Sequence, residues 1–232
     1  MNTPQILDYD QRPDIVEDFD RLPRQFIPGY DASHTMAATL LKLAIGAHGH
    51  ILAIGAGGGA ELVRFAATSP DWSFTAVDPS QAMLARAAER MVGGGASDRL
   101  TCVQGIALDA PPGPFDAATA FLALHFVPDD GARLAQLKAI HDRLKPGAPF
   151  LMINGMADPA SDRFETDLAR WRLHAELNGA DPAIMGEAEA MQRTQVRFLS
   201  PERERELVRR AGFGPPETFY KGLWIEGWAM AA

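Results

Sequence analysis

The middle of the chain alternates short apolar runs with longer amphipathic ones. Residues 51–54, 73–77, 100–104, 115–122 and 150–153 are apolar stretches of strand length, and near-continuous apolarity is what a strand buried on both faces requires. Between them the apolar positions recur at helical spacing. Over residues 80–91, Met83, Leu84, Ala87 and Met91 share one face, with Ser80 placed to cap the first turn. Over 129–144, Leu134, Leu137, Ile140 and Leu144 do the same before Lys145-Pro146-Gly147 stops the helix. A further helix opens at Glu61, and another spans about 31–45 behind the Pro28-Gly29 turn, with Tyr30 at its start. Strands alternating with amphipathic helices predict a mostly parallel sheet covered on both faces, with right-handed crossovers making a doubly wound α/β fold.

The rhythm breaks after Asn154. Residues 158–196 are polar and helical without a strand, and Phe164, Leu168, Trp171, Leu173, His174 and Leu177 recur at helical spacing. This predicts an insertion after the fifth strand, serving as a lid or as an oligomer contact such as a homodimer interface. Ser200-Pro201 opens another helix, with serine capping and proline in the first turn, and Ala211-Gly212-Phe213 closes it. The tail, 217–230, carries two β-prone runs broken at Lys221-Gly222 or Glu226-Gly227, which predict an antiparallel pair at the sheet edge. At the other end, residues 1–21 are rich in Asp, Gln and Pro without a period. They predict a mobile arm with one helical turn near 15–19. Phe26 and Tyr30 either close over a ligand or pack this arm onto the domain.

Composition narrows the function classes. The 232 residues form one domain with room for a full core, perfectly ordinary in being 47% hydrophobic and 22% charged. A net charge of −8 argues against a surface that tracks nucleic-acid phosphates. The alternating charges of Glu202-Arg203-Glu204-Arg205-Glu206 predict a solvated helix face. The one cysteine, Cys102, forms no internal disulfide and is expected as a small buried hydrophobe. A polar N-terminus without a signal-peptide pattern, and no run near the roughly 20 apolar residues that span a bilayer, predict a cytoplasmic protein with no membrane partner. No Cys, His and Asp grouping has metal-ligand spacing, so no metal is expected.

The candidate chemistry lies where the first strand ends. Gly55-Ala56-Gly57-Gly58-Gly59 joins an apolar strand to a helix. Glycines there permit a tight turn, and the helix start presents free N–H groups to a ligand. Asp78, about 20 residues on at the end of the second strand, is placed to accept hydrogen bonds from ribose hydroxyls. These features alone fit an NAD-binding oxidoreductase as well as other nucleotide-dependent enzymes.

Taken together, residues 51–59, Val77-Asp78-Pro79-Ser80 with Met83, the run ending in Leu144-Lys145-Pro146-Gly147, and Ala211-Gly212-Phe213 resemble the class I S-adenosylmethionine-dependent methyltransferases. The resemblance covers about 25–155 and 198–230. It implies a seven-stranded, mostly parallel Rossmann-like sheet with an antiparallel last strand and with S-adenosyl-L-methionine as donor. Residues 1–45 would be an arm and helix covering the donor site, and 46–232 the methyltransferase domain with its insertion. By the same resemblance, Gly55, Ala56, Gly57 and Gly59 would line the methionine end and Asp78 would hold the ribose. Pro79 and Met83 would flank the adenine, Ile106 and Ala107 would meet its edge, and Phe121 would face the sulfonium. Phe26-Ile27-Pro28-Gly29-Tyr30, with Phe219-Tyr220, is similar to the branch containing carboxy-S-adenosylmethionine synthase, which carries over Tyr30 as a donor contact. The chain departs from the superfamily at Ala53 and Ile106, where acids are usual; each loss removes a charge-assisted hydrogen bond of about 1.5–3 kcal/mol. Asp109 is a candidate to compensate at the adenine.

The implied activity is methyl transfer to a small molecule, in which alignment of donor and acceptor supplies most of the rate. An acidic chain with an apolar lid suits a small, partly hydrophobic acceptor, and Trp171, His174, Tyr220 and Trp224 are candidate wall residues. The same aromatics serve equally as packing. His125, after the fourth strand, is the candidate general base, with a packing or donor-binding role as the alternative. His34, His48, His50 and His141 are expected to be structural or exposed. Two further readings stand beside methyl transfer: other chemistry on the same donor, as in carboxy-S-adenosylmethionine synthase, and a non-catalytic donor-binding module.

Overall fold

The computed structural model describes residues 9–232. Seven strands form one sheet in the order β3-β2-β1-β4-β5-β7-β6. The strands are β1 (His48–Ile54), β2 (Asp71–Asp78), β3 (Leu100–Gln104), β4 (Ala117–Phe121), β5 (Pro149–Gly155), β6 (Glu217–Gly222) and β7 (Ile225–Ala231). The first five are parallel, and β7 runs antiparallel to both β5 and β6. Helices α1 (Pro13–Asp18), α2 (Leu22–Phe26) and α3 (Tyr30–Ile45) precede the sheet. Then α4 (Ala60–Thr68), α5 (Gln81–Gly93) and α6 (Ala132–His141) cross over between strands. The helices α7 (Phe164–Leu177), α8 (Pro182–Thr194) and α9 (Pro201–Ala211) lie between β5 and β6.

The side-chain alternation of the central strand sorts the two cores. Ile51 and Ala53 join residues of α3, α4, α5 and α7 on one face, while Leu52 and Ile54 join α6 and α9 on the other. Because both faces are covered, β4 is buried throughout, and its Ala-Ala-Thr-Ala sequence lets helices approach closely. Ser80 caps α5 as the sequence indicates: its hydroxyl accepts from the Met83 N–H at 3.1 Å. Ser200 does the same for α9 from Arg203 at 3.2 Å.

Several expectations shift. The helix expected from 129 starts at Ala132, because Asp129 instead takes Arg203 at 2.7 and 3.1 Å and Asp130 caps the Ala132 N–H at 3.1 Å. The C-terminal hairpin turns at Leu223, which adopts φ +57°, between the two breaks considered. Its second strand is interior to the sheet, and β6 alone is the edge. Cys102 is exposed rather than buried, since β3 is the opposite edge strand. Leu173 and Leu177 of α7 face outward at 54% and 78% exposure; the buried stripe is Phe164, Leu168, Trp171 and Ala175. The arm is more ordered than its sequence suggests, with a 3₁₀ turn at Tyr9–Gln11 followed by α1 and α2. Its first eight residues lie outside those described.

Candidate functional site

A cavity of about 800 Å³ opens at the carboxyl ends of β1, β2 and β4, where open α/β sheets place their ligands. Its floor is the loop from Gly55 to Gly59. Gly55 has φ +63°, and a Cβ there would stand 2.2 Å from that of Ala123. Gly59, at φ +74°, lets α5 approach: a Cβ would meet that of Ala87 at 2.8 Å. Asp78 ties this loop to β2. One carboxylate oxygen accepts the Gly57 N–H and the other the Ser80 N–H, each at 2.9 Å. Burial raises the Asp78 pKa, and the two N–H groups oppose that rise. Pro79, Met83 and Ile106 line the cavity beside it, with Ala56 and Gly57.

The arm closes the cavity over this wall. Asp10 accepts from the Ser80 hydroxyl at 2.6 Å and the Ala82 N–H at 2.8 Å, so the arm's carboxylate sits at the N-terminus of α5. Those hydrogen bonds hold its pKa below the usual carboxylate range. Tyr9 is half-buried here, and desolvation, then the charge of Asp78, pushes its phenol up to about 12. Phe19 lies over the glycine loop, within 3.5 Å of where a Gly58 Cβ would stand. Asp20 pairs with Arg86 at 2.8 Å and with Arg90, fastening the arm to α5.

On the α3 side, Tyr30, His34, Glu61 and Phe121 line the cavity. His34, expected as structural or exposed, is buried in this wall: its ring stacks on Phe121 at 5.7 Å and meets Tyr30 edge-on at 4.4 Å. Burial lowers its pKa to about 4, so it is neutral at physiological pH. Burial, then the charge of Glu61, raises the Tyr30 phenol well above its ordinary value. Glu61 itself is pushed up to about 8, first by burial and also by Asp78.

The geometry argues against His125 as a general base. The ring lines the cavity, but its Nδ1 accepts the Gly155 N–H at 2.9 Å and it hydrogen-bonds the Leu122 backbone. Burial, then Arg133, lowers its pKa to about 3. A histidine committed to two backbone partners has no lone pair for a substrate proton; it pins the loop after β4 to the end of β5. Arg133 holds the same loop from behind, donating to the Val127 carbonyl at 2.9 Å and to the buried Glu204 carboxylate.

The far wall is largely apolar, with Glu187, Gln192 and Thr194 of α8 as its polar members. Trp171 and Trp224 line it with ring centroids 6.0 Å apart, and Phe26 of the arm stacks on Trp171 at 5.3 Å. Ile184, Ala188 and Met191 present one face of α8. Their spacing of four and three residues is the signal in the sequence that would have found them. Three expected residues fall outside. Ala107 is fully buried in the opposite core. His174 hydrogen-bonds Asn178 on the outer part of α7. Tyr220 donates its hydroxyl to the Pro28 carbonyl, so it fixes the turn before Tyr30. Asp109 does not compensate at Ile106: its carboxylate accepts the Ile106 N–H at 2.9 Å and does not line the cavity. Among the described residues no group of acids, His and Cys is arranged to hold a metal ion, and no helix is long and apolar enough to cross a membrane.

These walls suit a nucleoside-bearing donor, with a glycine cradle, a buried acid beside it, and apolar Met83 and Ile106 for a base. A family model described as a methyltransferase domain matches residues 52–150. No curated protein matches the chain. Among solved structures, a proposed O-methyltransferase of Nostoc punctiforme PCC 73102 is 15% identical with a TM-score of 0.68, over 95% of this chain and 60% of that one. An O-methyltransferase family protein from Burkholderia thailandensis is 16% identical with a TM-score of 0.68, over 97% and 60%. The O-methyltransferase NcsB1 from neocarzinostatin biosynthesis, solved with S-adenosylmethionine and 2-hydroxy-5-methyl naphthoic acid, is 20% identical with a TM-score of 0.58, over 88% and 57%. The chain thus spans about 60% of the length of the first structures it matches.

Proposed function

We propose that this chain is a class I S-adenosylmethionine-dependent methyltransferase that transfers the donor's methyl group to a small, largely apolar acceptor; the methyltransferase-domain match over residues 52–150 and the shared fold support the reading. The observation that carries this reading is that one cavity joins the glycine-loop wall with Asp78 to the apolar wall of Trp171, Trp224 and α8. Donor and acceptor chemistry need a shared enclosed space, and about 800 Å³ lies within the range of small-molecule sites, roughly 300–1,000 Å³.

On this reading Gly55, Ala56, Gly57 and Gly59 cradle the methionine end, Asp78 holds the ribose, and Pro79, Met83 and Ile106 enclose the adenine. Tyr30 and Phe121 shape the space around the sulfur. The donor supplies a methyl already activated on a sulfonium: the acceptor's lone pair forms the new bond as the carbon–sulfur pair returns to sulfur. The residues of this chain contribute alignment and exclusion of water. The two buried histidines, His34 and His125, are too weakly basic at about 4 and 3 to take a proton near neutrality. Neither histidine therefore takes the acceptor's proton, and an acceptor that reacts through a lone pair it already carries needs no base. The net charge of −8 supports a small molecule over a nucleic acid as acceptor. A single cysteine, hence no internal disulfide, suits a reducing cytoplasmic compartment.

The test is transfer of isotope-labelled methyl from S-adenosylmethionine to a panel of planar apolar phenols, amines and thiols, run beside RNA and denatured protein. Label in the small apolar compounds is the expected result. Label confined to macromolecules, or no turnover by a protein that binds the donor, would remove the small-molecule reading.

A further inference from the structure

Glu61 is a buried carboxylate, 6% exposed, in the first turn of α4, and its side chain lines the cavity. Among the described residues no ion pair or hydrogen bond from another side chain reaches it. Among the described residues, the arginine that lines the cavity, Arg12, pairs with Glu187 of α8 at 3.2 Å. A second buried acid, Asp78, stands near enough to disfavour the charge on Glu61, and Tyr30 of α3 responds to that charge in turn. Among the described residues no cationic side chain pairs with Glu61, so burial holds it as the neutral acid, and it takes up its charge only when a cation comes beside it. The cavity is built for a ligand that brings the cation with it.

Position selects which cation. Asp78 marks the ribose side of the glycine loop, and the apolar wall of Trp171 and Trp224 lies across the cavity. Glu61 stands two residues after Gly59, and its charge reaches the Tyr30 phenol, which places it at the methionine end of the proposed donor. It belongs to the helix that covers the sheet face carrying Ala53, where β1 itself offers no polar group. A primary ammonium has three N–H donors, and a carboxylate that makes no other side-chain bond can accept them. Resting on the donor assignment above, we propose that Glu61 is the receptor for the ammonium group of the donor's amino-acid end, and so selects donors that carry that group.

Two nucleosides separate this claim from the donor assignment. S-Adenosylhomocysteine carries the ammonium, and 5′-methylthioadenosine lacks it while keeping adenine, ribose and sulfur. Calorimetric titration of both is made into the wild type and Glu61→Gln, with melting temperatures recorded. Gln is isosteric with the neutral acid, so the variant is expected to fold. S-Adenosylhomocysteine should bind Glu61→Gln at least about tenfold more weakly, with 5′-methylthioadenosine changed by less than about twofold. A pH series adds an independent readout. With Glu61 raised to about 8 in the empty cavity, ammonium binding must ionise it. The wild-type preference for S-adenosylhomocysteine over 5′-methylthioadenosine should rise about tenfold per pH unit from about 5.5 to 7.5, and the variant's should stay flat. The ratio cancels Asp78, which both ligands meet, while Tyr30 and His34 are neutral over that range. Equal binding of S-adenosylhomocysteine by both proteins, or parallel loss of both nucleosides in the variant, would overturn the role of Glu61. Retained donor affinity with lost turnover would overturn it too, in favour of a base. Failure of the wild type to bind either nucleoside would overturn the donor assignment itself, and this one with it.

Discussion

At Asp78 a single carboxylate both organises the glycine loop, through Gly57 and Ser80, and faces the cavity. Removing it should therefore weaken donor binding by about 1.5–3 kcal/mol, the range for a charge-assisted hydrogen bond, or roughly 10- to 150-fold. Titration of S-adenosylhomocysteine into Asp78→Ala checks this, and unchanged affinity would remove Asp78 from the site. Asp78 and the glycines were legible because their job is local: a turn and a strand end announce themselves in consecutive residues. The histidines were not. His34 looked incidental, and only the packing of α3 against Phe121 buries it in the wall. His125 looked poised for catalysis, and only the Gly155 N–H, 30 residues away, shows its lone pair to be taken.

At the scale of elements, the central strands and their crossover helices follow the apolar periodicity closely, since burial of those faces is what the periodicity reports. Elements that depend on distant partners were hidden. The short helices of the arm bury little of their own and are held by Asp10 on α5 and Asp20 on Arg86 and Arg90. The edge position of β3, which exposes Cys102, is a property of sheet order rather than of that strand's residues. The charges of 202–206 read as a solvated helix face, yet Glu204 among them is fully buried against Arg133. That pair ties α9 to α6 and, through the Val127 and Arg197 carbonyls, fixes the loops beside the cavity. Glu204→Ala leaves the Arg133 charge buried and unpaired, so it should cost about 3–5 kcal/mol of stability in denaturant unfolding. A loss below about 1 kcal/mol would mean that water or another acid replaces it.

For the whole molecule, buried titratable groups along the cavity set how stability varies with pH. His34 and His125 have folded pKa values of about 4 and 3, below the ordinary 6.5. The unfolded chain binds their protons first, so stability falls as pH drops below 6.5. Glu61 is opposite in sign: raised from 4.5 to about 8, it contributes stability that is lost as pH rises toward 8. Without ligand, these three groups place maximum stability near pH 6.5, and Glu61→Gln should abolish the fall between about 6.5 and 8. Denaturant midpoints across that range check both slopes. The donor assignment itself is tested most directly by thermal unfolding with S-adenosylmethionine, S-adenosylhomocysteine and NAD in parallel. A ligand at 100 times its dissociation constant adds about 2.7 kcal/mol, a rise of roughly 5–11 °C for a chain of this size. A rise with the two sulfur nucleosides and none with NAD is the result expected here. No rise with either sulfur nucleoside, or a rise with NAD alone, would contradict it.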